Sequence, residues 1–261
     1  MISAFPDGLL DGKTAFVAGG TSGVNLAIAL RMSELGARVA VLGRNPEKAH
    51  AAADTLGRGA MALASDVRDY AATQESLRRA SDAFGGLDIV VSGAAGNFVA
   101  PALDMSANGF KAVIDIDLIG TFNVFRACYD FLRRPGASLI TLSAGQATVP
   151  LVGQSHACAA KAGINHLVRV LAMEWGPTGV RVNGLAPGPV AGTEGMARLT
   201  STEEAVQRLS SRIPMRRYAH GHEIAEAAVF LCSASASYIT GTILDCDGGA
   251  HLGDSSTPQV G

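Results

Sequence analysis

Seven short apolar runs, each nearly unbroken and most separated by helix-period stretches, leave this chain few ways to fold. They fall at 14–18, 38–42, 60–64, 88–92, 138–142, 180–186 and 243–245. Val39, Val41, Ile89, Val90, Val91, Leu139, Ile140 and Leu142 make the runs almost continuously apolar. Strands of that kind are covered on both faces, which is the signature of a parallel sheet rather than a half-wet antiparallel one. Strands alternating with helices predict an α/β fold: a doubly wound parallel sheet of about seven strands with helices on both faces. Right-handed crossovers then place the loops after the strands along one edge, where open sheets of this class bind ligands.

At 261 residues, 48% hydrophobic and 17% charged, the chain suffices for one large core, and no linker or internal repeat divides it. A single domain over 1–261 is expected, with 253–261 as a flexible tail. Helical patterns run over 22–35, 108–132, 153–175 and 222–232, and 196–212 reads as a mobile helical insertion bounded by glycine and Pro214.

The net charge of -2, from 21 Lys+Arg against 23 Asp+Glu, gives no basic field for nucleic acid and favours a small-molecule partner. No apolar stretch approaches the roughly 20 residues of a membrane span, and no signal peptide is expected. Cys128, Cys158, Cys232 and Cys246 lack metal-ligand spacing, so no metal site is expected and reduced thiols fit a cytoplasmic location. The terminal Thr257-Pro258-Gln259-Val260-Gly261 does not read as a peroxisomal address.

The glycine loop Gly19-Gly20-Thr21-Ser22-Gly23-Val24-Asn25 joins the first strand to the first helix. Glycines there let backbone N–H groups approach a pyrophosphate at the helix N-terminus, although a strand-to-helix turn also uses glycine for geometry alone. Asn25 stands where the usual pattern has its third glycine, which puts close helix–strand contact in question. Arg44 ends the second strand where an acidic residue would grip the ribose 2′-hydroxyl of NAD. An arginine instead meets a 2′-phosphate, which points to NADP(H); the plainer reading is a solvated surface arginine. Asp66-Val67 ends the third strand and either borders the adenine or, through Asp66, caps the next helix. Gly93-Ala94-Ala95-Gly96 allows a backbone to run close beside a cofactor.

Taken in order with Asn183-Gly184-Leu185-Ala186-Pro187-Gly188-Pro189 and Asp245-Cys246-Asp247-Gly248-Gly249, these motifs resemble the short-chain dehydrogenase/reductase family from Gly12 to Gly249. The resemblance implies a Rossmann-type fold. More narrowly, the chain resembles the peroxisomal-type 2,4-dienoyl-CoA reductases. The closer match lies in Ala94-Ala95-Gly96-Asn97-Phe98, Ile114-Asp115-Ile116-Asp117, Gly120-Thr121-Phe122-Asn123-Val124, His156-Ala157 before Ala160-Lys161-Ala162, and Leu185 through Gly195. One helical turn before Lys161, the family's catalytic tyrosine is replaced by Ala157, as in that subgroup. Ala144 stands nearest the family's catalytic serine, with Ser143 beside it.

The resemblance implies that Lys161 binds the nicotinamide ribose and that Asp117 takes the position of a catalytic asparagine. Cofactor contacts are implied for Gly19, Thr21, Ser22, Gly23, Val24, Arg44, Asp66, Val67, Ala94, Pro187, Gly188, Val190 and Thr193. Acyl-CoA contacts are implied for Arg68, Phe98, Ser106, Asn108 and Arg198; Phe98 reads equally as core, and Arg68 and Arg198 as surface. Asp117 lies in an apolar setting and needs a partner, which Lys161 could supply. Asp115 faces another side of the helix, and His156 is a secondary candidate.

Losing the tyrosine removes the acid that a nascent alkoxide requires. A dienoyl thioester avoids that need, because its charge spreads into a dienolate. The expectation is NADPH-dependent reduction of 2,4-dienoyl-CoA to trans-3-enoyl-CoA by a homotetramer. A reductase of another enoyl thioester or of a carbonyl, or a non-catalytic NADP-binding or assembly protein, would share the cofactor loops.

Overall fold

The computed structural model describes residues 5–57, 59–193, 196–197, 200 and 202–256. Its sheet has seven strands, all parallel, in the order β3-β2-β1-β4-β5-β6-β7. These are β1 (Thr14–Ala18), β2 (Arg38–Gly43), β3 (Met61–Ala64), β4 (Ile89–Ser92), β5 (Ser138–Leu142), β6 (Arg181–Pro187) and β7 (Ile243–Cys246). The helices are α1 (Gly23–Glu34), α2 (Pro46–Leu56), α3 (Tyr70–Phe84), α4 (Ala107–Ile114), α5 (Gly120–Cys128), α6 (Ser155–Trp175), α7 (Glu203–Arg212) and α8 (Gly221–Cys232). Every residue of β1, β4 and β5 is buried, as their unbroken apolar sequence requires.

Alternation along the strands builds two cores, one on each face. Val17, Val41, Val91 and Ile140 point toward Ile28 and Met32 of α1, Ala53 of α2 and Val229 of α8. Their neighbours Phe16, Leu42, Val90 and Leu139 point the other way, onto Leu77 of α3, Phe125 of α5 and Val168 of α6. The doubly wound fold is thus as the apolar runs foretell, with strand ends shifted by no more than a residue.

Four segments are placed more closely by the structure than by the sequence. The single helix expected over 108–132 is divided into α4, a π-helical turn at Asp115–Ile119, α5 and a 3₁₀ turn at Tyr129–Phe131. Periodicity cannot reveal this, since one extra residue in a turn preserves the apolar character of the stretch. Asp66 does not cap the helix after β3; Asp69 does, accepting from Ala72 N at 3.0 Å. The insertion expected over 196–212 holds α7, whose cap Thr202 accepts from Ala205 N and which buries none of its residues. Of the expected tail, Asp254 pairs with Arg212 at 2.9 Å and Ser255 donates twice to the Arg212 carbonyl. Residues 257–261 lie outside those described.

At the edge of the sheet where β1 and β4 begin, Asp88 ties the loops together. It accepts from Thr14 N and Thr14 Oγ1 at 3.0 Å, from Arg133 at 2.6 Å and from Lys13 at 3.2 Å. Burial pushes the carboxyl upward, but the Thr14 and Lys13 donors outweigh it and hold the group below the usual carboxylate range. A depressed pKa adds stability above the ordinary carboxylate value and loses it as pH falls through the depressed one. Asp88→Asn should therefore lower unfolding stability at pH 7 by about 1.5–3 kcal/mol in chemical denaturation. The difference from the unmutated protein should shrink below pH 4; a gap constant down to pH 2.5 would remove Asp88 from this role.

Candidate active site

The strand order reverses between β1 and β4, so their following loops part and leave a crevice at the C-terminal edge. A cavity of about 770 Å³ occupies it. Its walls include Gly19, Thr21, Ser22, Gly23, Val24, Arg44, Asp66, Val67, Ala94, Pro187, Gly188, Val190 and Thr193. Every residue expected to touch the cofactor is therefore on this wall except Lys161, which lies just behind it.

The glycines work here by close approach. Gly19 has φ +77°, and a Cβ on it would stand 2.8 Å from Ala94 N. A Cβ on Gly43 would stand 2.6 Å from Thr21 Cγ2, so the glycine loop lies directly over the end of β2. Asn25 does not push helix and strand apart. Its Nδ2 donates to the Gly93 carbonyl at 2.8 Å, and the missing side chain at Gly93 leaves the room. The cleft thus offers a dinucleotide a bare backbone turn at the start of α1, a long apolar-sided trough, and Arg44 at its rim, exposed and without a hydrogen bond or ion pair among the described residues.

Asp117 and Lys161 meet behind this wall, beside its lining residue Ile116. Lys161 Nζ lies 3.1 Å from Asp117 Oδ2 and donates to the Leu142 carbonyl at 2.9 Å. The other oxygen, Asp117 Oδ1, accepts from Gly96 N at 2.8 Å. Both side chains are buried, Asp117 at 1% exposure and Lys161 at 8%. The π-helical turn presents Asp117 inward while Asp115 turns out to pair with Lys111. Gly163 lets α6 come close to that turn, since a Cβ there would sit 2.9 Å from Leu118.

Ala157 is buried in the first turns of α6 and supplies no proton donor. His156 beside it is also buried, with its ring centroid 4.4 Å from that of Phe98. Neither ring nitrogen has a hydrogen-bond partner among the described residues. Burial lowers its pKa against the opposing charge of Asp117, so the neutral ring is favoured near pH 7. Ser143 is turned away from proton transfer, its hydroxyl bonded to Asn165 Oδ1 at 2.5 Å.

The residues expected to meet substrate are more scattered. Phe98 is 42% exposed and leans on His156, which excludes a plain core role. Ser106 caps α4 by accepting from Gly109 N, and Asn108 is exposed in that first turn. Arg68 is paired with Asp66 at 2.6 Å, and this contact holds the Asp66 carboxyl below its usual range. Arg198 lies outside the described residues.

Sequence reasoning missed a cluster of amides. Gln154 Oε1 accepts from Asn97 Nδ2 at 2.8 Å and from Gln146 Nε2 at 3.1 Å, and all three side chains border the cavity. They come from the loop after β4, the loop after β5 and the cap of α6. Only the position of Gln154, one turn before Ala157, could have flagged them.

A family model described as enoyl-(acyl carrier protein) reductase matches residues 18–251. A dehydrogenase/reductase crystal structure from Sinorhizobium meliloti 1021 superposes with a TM-score of 0.87 at 33% identity, over 93% of this chain and 97% of that one. The chain belongs to the short-chain dehydrogenase/reductase family and, with its nucleotide cleft, is an oxidoreductase of that class. Its similarity is strong to the peroxisomal 2,4-dienoyl-CoA reductase of Danio rerio, at 41% identity over 95% of this chain and 84% of that protein. The peroxisomal 2,4-dienoyl-CoA reductase of Saccharomyces cerevisiae is 39% identical over 95% of this chain and 87% of its own length.

Gly19→Ala should weaken dinucleotide binding at least tenfold in a fluorescence titration. It should also cost about 1–2 kcal/mol in stability, because a side chain at this positive φ meets the Ala94 backbone. Unchanged affinity would mean that the loop does not approach the pyrophosphate.

Proposed function

We propose that this enzyme reduces 2,4-dienoyl-CoA to trans-3-enoyl-CoA with NADPH. The observation that carries the reading is the buried Asp117–Lys161 pair beside Ala157. A site with no phenol suits an acceptor whose oxygen never becomes a localised alkoxide, and the dienoyl-CoA reductases among the relatives support the substrate.

When bound, the nicotinamide supplies the hydride, delivered to the far carbon of the conjugated diene. The residues do the rest. The glycine loop and the Pro187–Thr193 segment hold the dinucleotide, with Arg44 facing the 2′-phosphate. Lys161, fixed by the Leu142 carbonyl and Asp117, meets the nicotinamide ribose. Asp117 and Lys161 together orient a water that protonates the α carbon as charge returns from the thioester oxygen. Phe98, Ser106 and Asn108 border the acyl-CoA. Exposed Ile119 and Phe122 support pairing with further copies into a tetramer.

NADPH consumption with 2,4-dienoyl-CoA, with the product double bond located, tests the reading. Turnover of dienoyl-CoA with negligible reduction of simple ketones and 3-oxoacyl thioesters is expected. NADPH binding without turnover of dienoyl-CoA at any chain length would end the substrate assignment.

Arg44→Ala should abolish most of a preference for NADPH over NADH worth about 1.5–3 kcal/mol. Equal affinities in the unmutated protein would refute the contact.

Asp117→Ala and Asp117→Asn should slow turnover by about 10²–10⁴ while NADPH affinity stays near its original value. Lys161→Ala should lower both, because the ribose contact goes with it. Rates and affinities measured on the same variants separate the two roles. A fully active Asp117→Asn would make that residue structural.

A further inference from the structure

The rate of a dienoyl reduction depends on what meets the thioester oxygen as charge arrives there. In an ordinary member of this family the tyrosine hydroxyl would face that oxygen; here Ala157 leaves it without a donor. Gln154 stands one helical turn earlier, at the cap of α6, and is 3% exposed. It belongs to the wall of the cleft together with Asn97, Ser143 and Gly188.

Its two ends are used differently. The oxygen is saturated by Asn97 Nδ2 at 2.8 Å and Gln146 Nε2 at 3.1 Å. Those two donors orient the amide, because a neutral carboxamide presents acceptor and donor on opposite sides. Its Nε2 hydrogen-bonds nothing among the described residues. An amide on the wall of the cavity that is held by its oxygen keeps its N–H end for a ligand there. Polarisation adds to this, for two N–H bonds accepted at Oε1 draw electron density through the amide and make its N–H a better donor.

We propose that Gln154 is a catalytic residue that donates through Nε2 to the thioester carbonyl oxygen, stabilising the dienolate in place of the missing tyrosine. This rests on the dienoyl-CoA reading above. The amide gives up no proton. The hydride pair enters at the far carbon, charge moves through the conjugated system to the oxygen held by Gln154, and it returns to the α carbon, which takes its proton from the water held by Asp117 and Lys161, the hydroxide left there taking a proton back from solvent. Asn97 and Gln146 are positioning residues for the amide.

Gln154→Glu is the discriminating variant, because a carboxylate keeps the acceptor for Asn97 and Gln146 but offers no donor and opposes the arriving charge. Its kcat with 2,4-dienoyl-CoA should fall about 10²–10³-fold, the size seen when one oxyanion donor is removed, with NADPH affinity within threefold. Gln154→Met, which deletes both ends, should fall at least as far. A second readout needs no turnover. Binding of dienoyl-CoA to the NADP⁺ complex should shift the dienoyl absorption band to longer wavelength in the unmutated protein, through polarisation of the carbonyl, and the shift should vanish in Gln154→Glu. If the unmutated protein turns over dienoyl-CoA and Gln154→Glu retains both its rate within threefold and its band shift, the assignment of Gln154 is overturned while the reductase reading stands. If the unmutated protein neither shifts the band nor oxidises NADPH, the reductase reading falls and this assignment falls with it.

Discussion

A lysine and an aspartate, both almost wholly withdrawn from water, face each other at 3.1 Å, and four parts of the molecule meet on them. Lys161 comes from α6 and holds the last carbonyl of β5; Asp117 comes from the π-helical turn and holds the first loop after β4 through Gly96 N. A buried pair of this kind adds little net stability, since its desolvation offsets most of its attraction. Breaking it strands a charge at a cost of about 3–5 kcal/mol. The pair therefore fixes positions more than it strengthens the fold. With the Asn97–Gln154 amide contact and the Phe98–His156 ring contact, it sets the distance of the β4 loop from α6.

The same pair explains how an enzyme of this family can lack its phenol and keep an ordered site. The start of α6 carries glutamine at its cap, on the wall of the cleft and bonded to two neighbouring loops, and then histidine, buried against Phe98, and buried alanine. None of these groups gives up a proton easily near pH 7, whereas Asp117 and Lys161 lie close by, behind Ile116 of the wall. On the proposed mechanism, proton delivery and charge stabilisation would be divided between separate residues rather than joined in one hydroxyl.

Much of this was legible in the sequence, and unevenly so. The sheet was, because strands covered on both faces must be apolar throughout, and runs such as Ile89-Val90-Val91 admit no other reading. The wall of the cleft was, since the glycine loop and Arg44, just after β2, line the cavity where the strand order reverses. The π turn was not: it changes the phase of a helix without changing its composition. The amide cluster was not either, for Asn97, Gln146 and Gln154 lie on separate segments that only the fold brings together. Asn25 shows the opposite error. A side chain in place of glycine suggested a wider gap, whereas its amide spans that gap by bonding the Gly93 carbonyl.

The π-helical turn has one more consequence. It contains one residue more than the α-helical turn it replaces, so α4 is rotated by about 100° around the axis relative to α5. The half of this helical stretch that packs on the sheet and the half that packs on α6 are thus set at independent angles by a single extra residue. Insertion or loss of one residue between Asp115 and Ile119 would swing Phe110 and the Ser106 cap to a new bearing while Val124 and Phe125 stayed in the core. A lineage could re-aim α4 by length alone, with every strand of the sheet left in register.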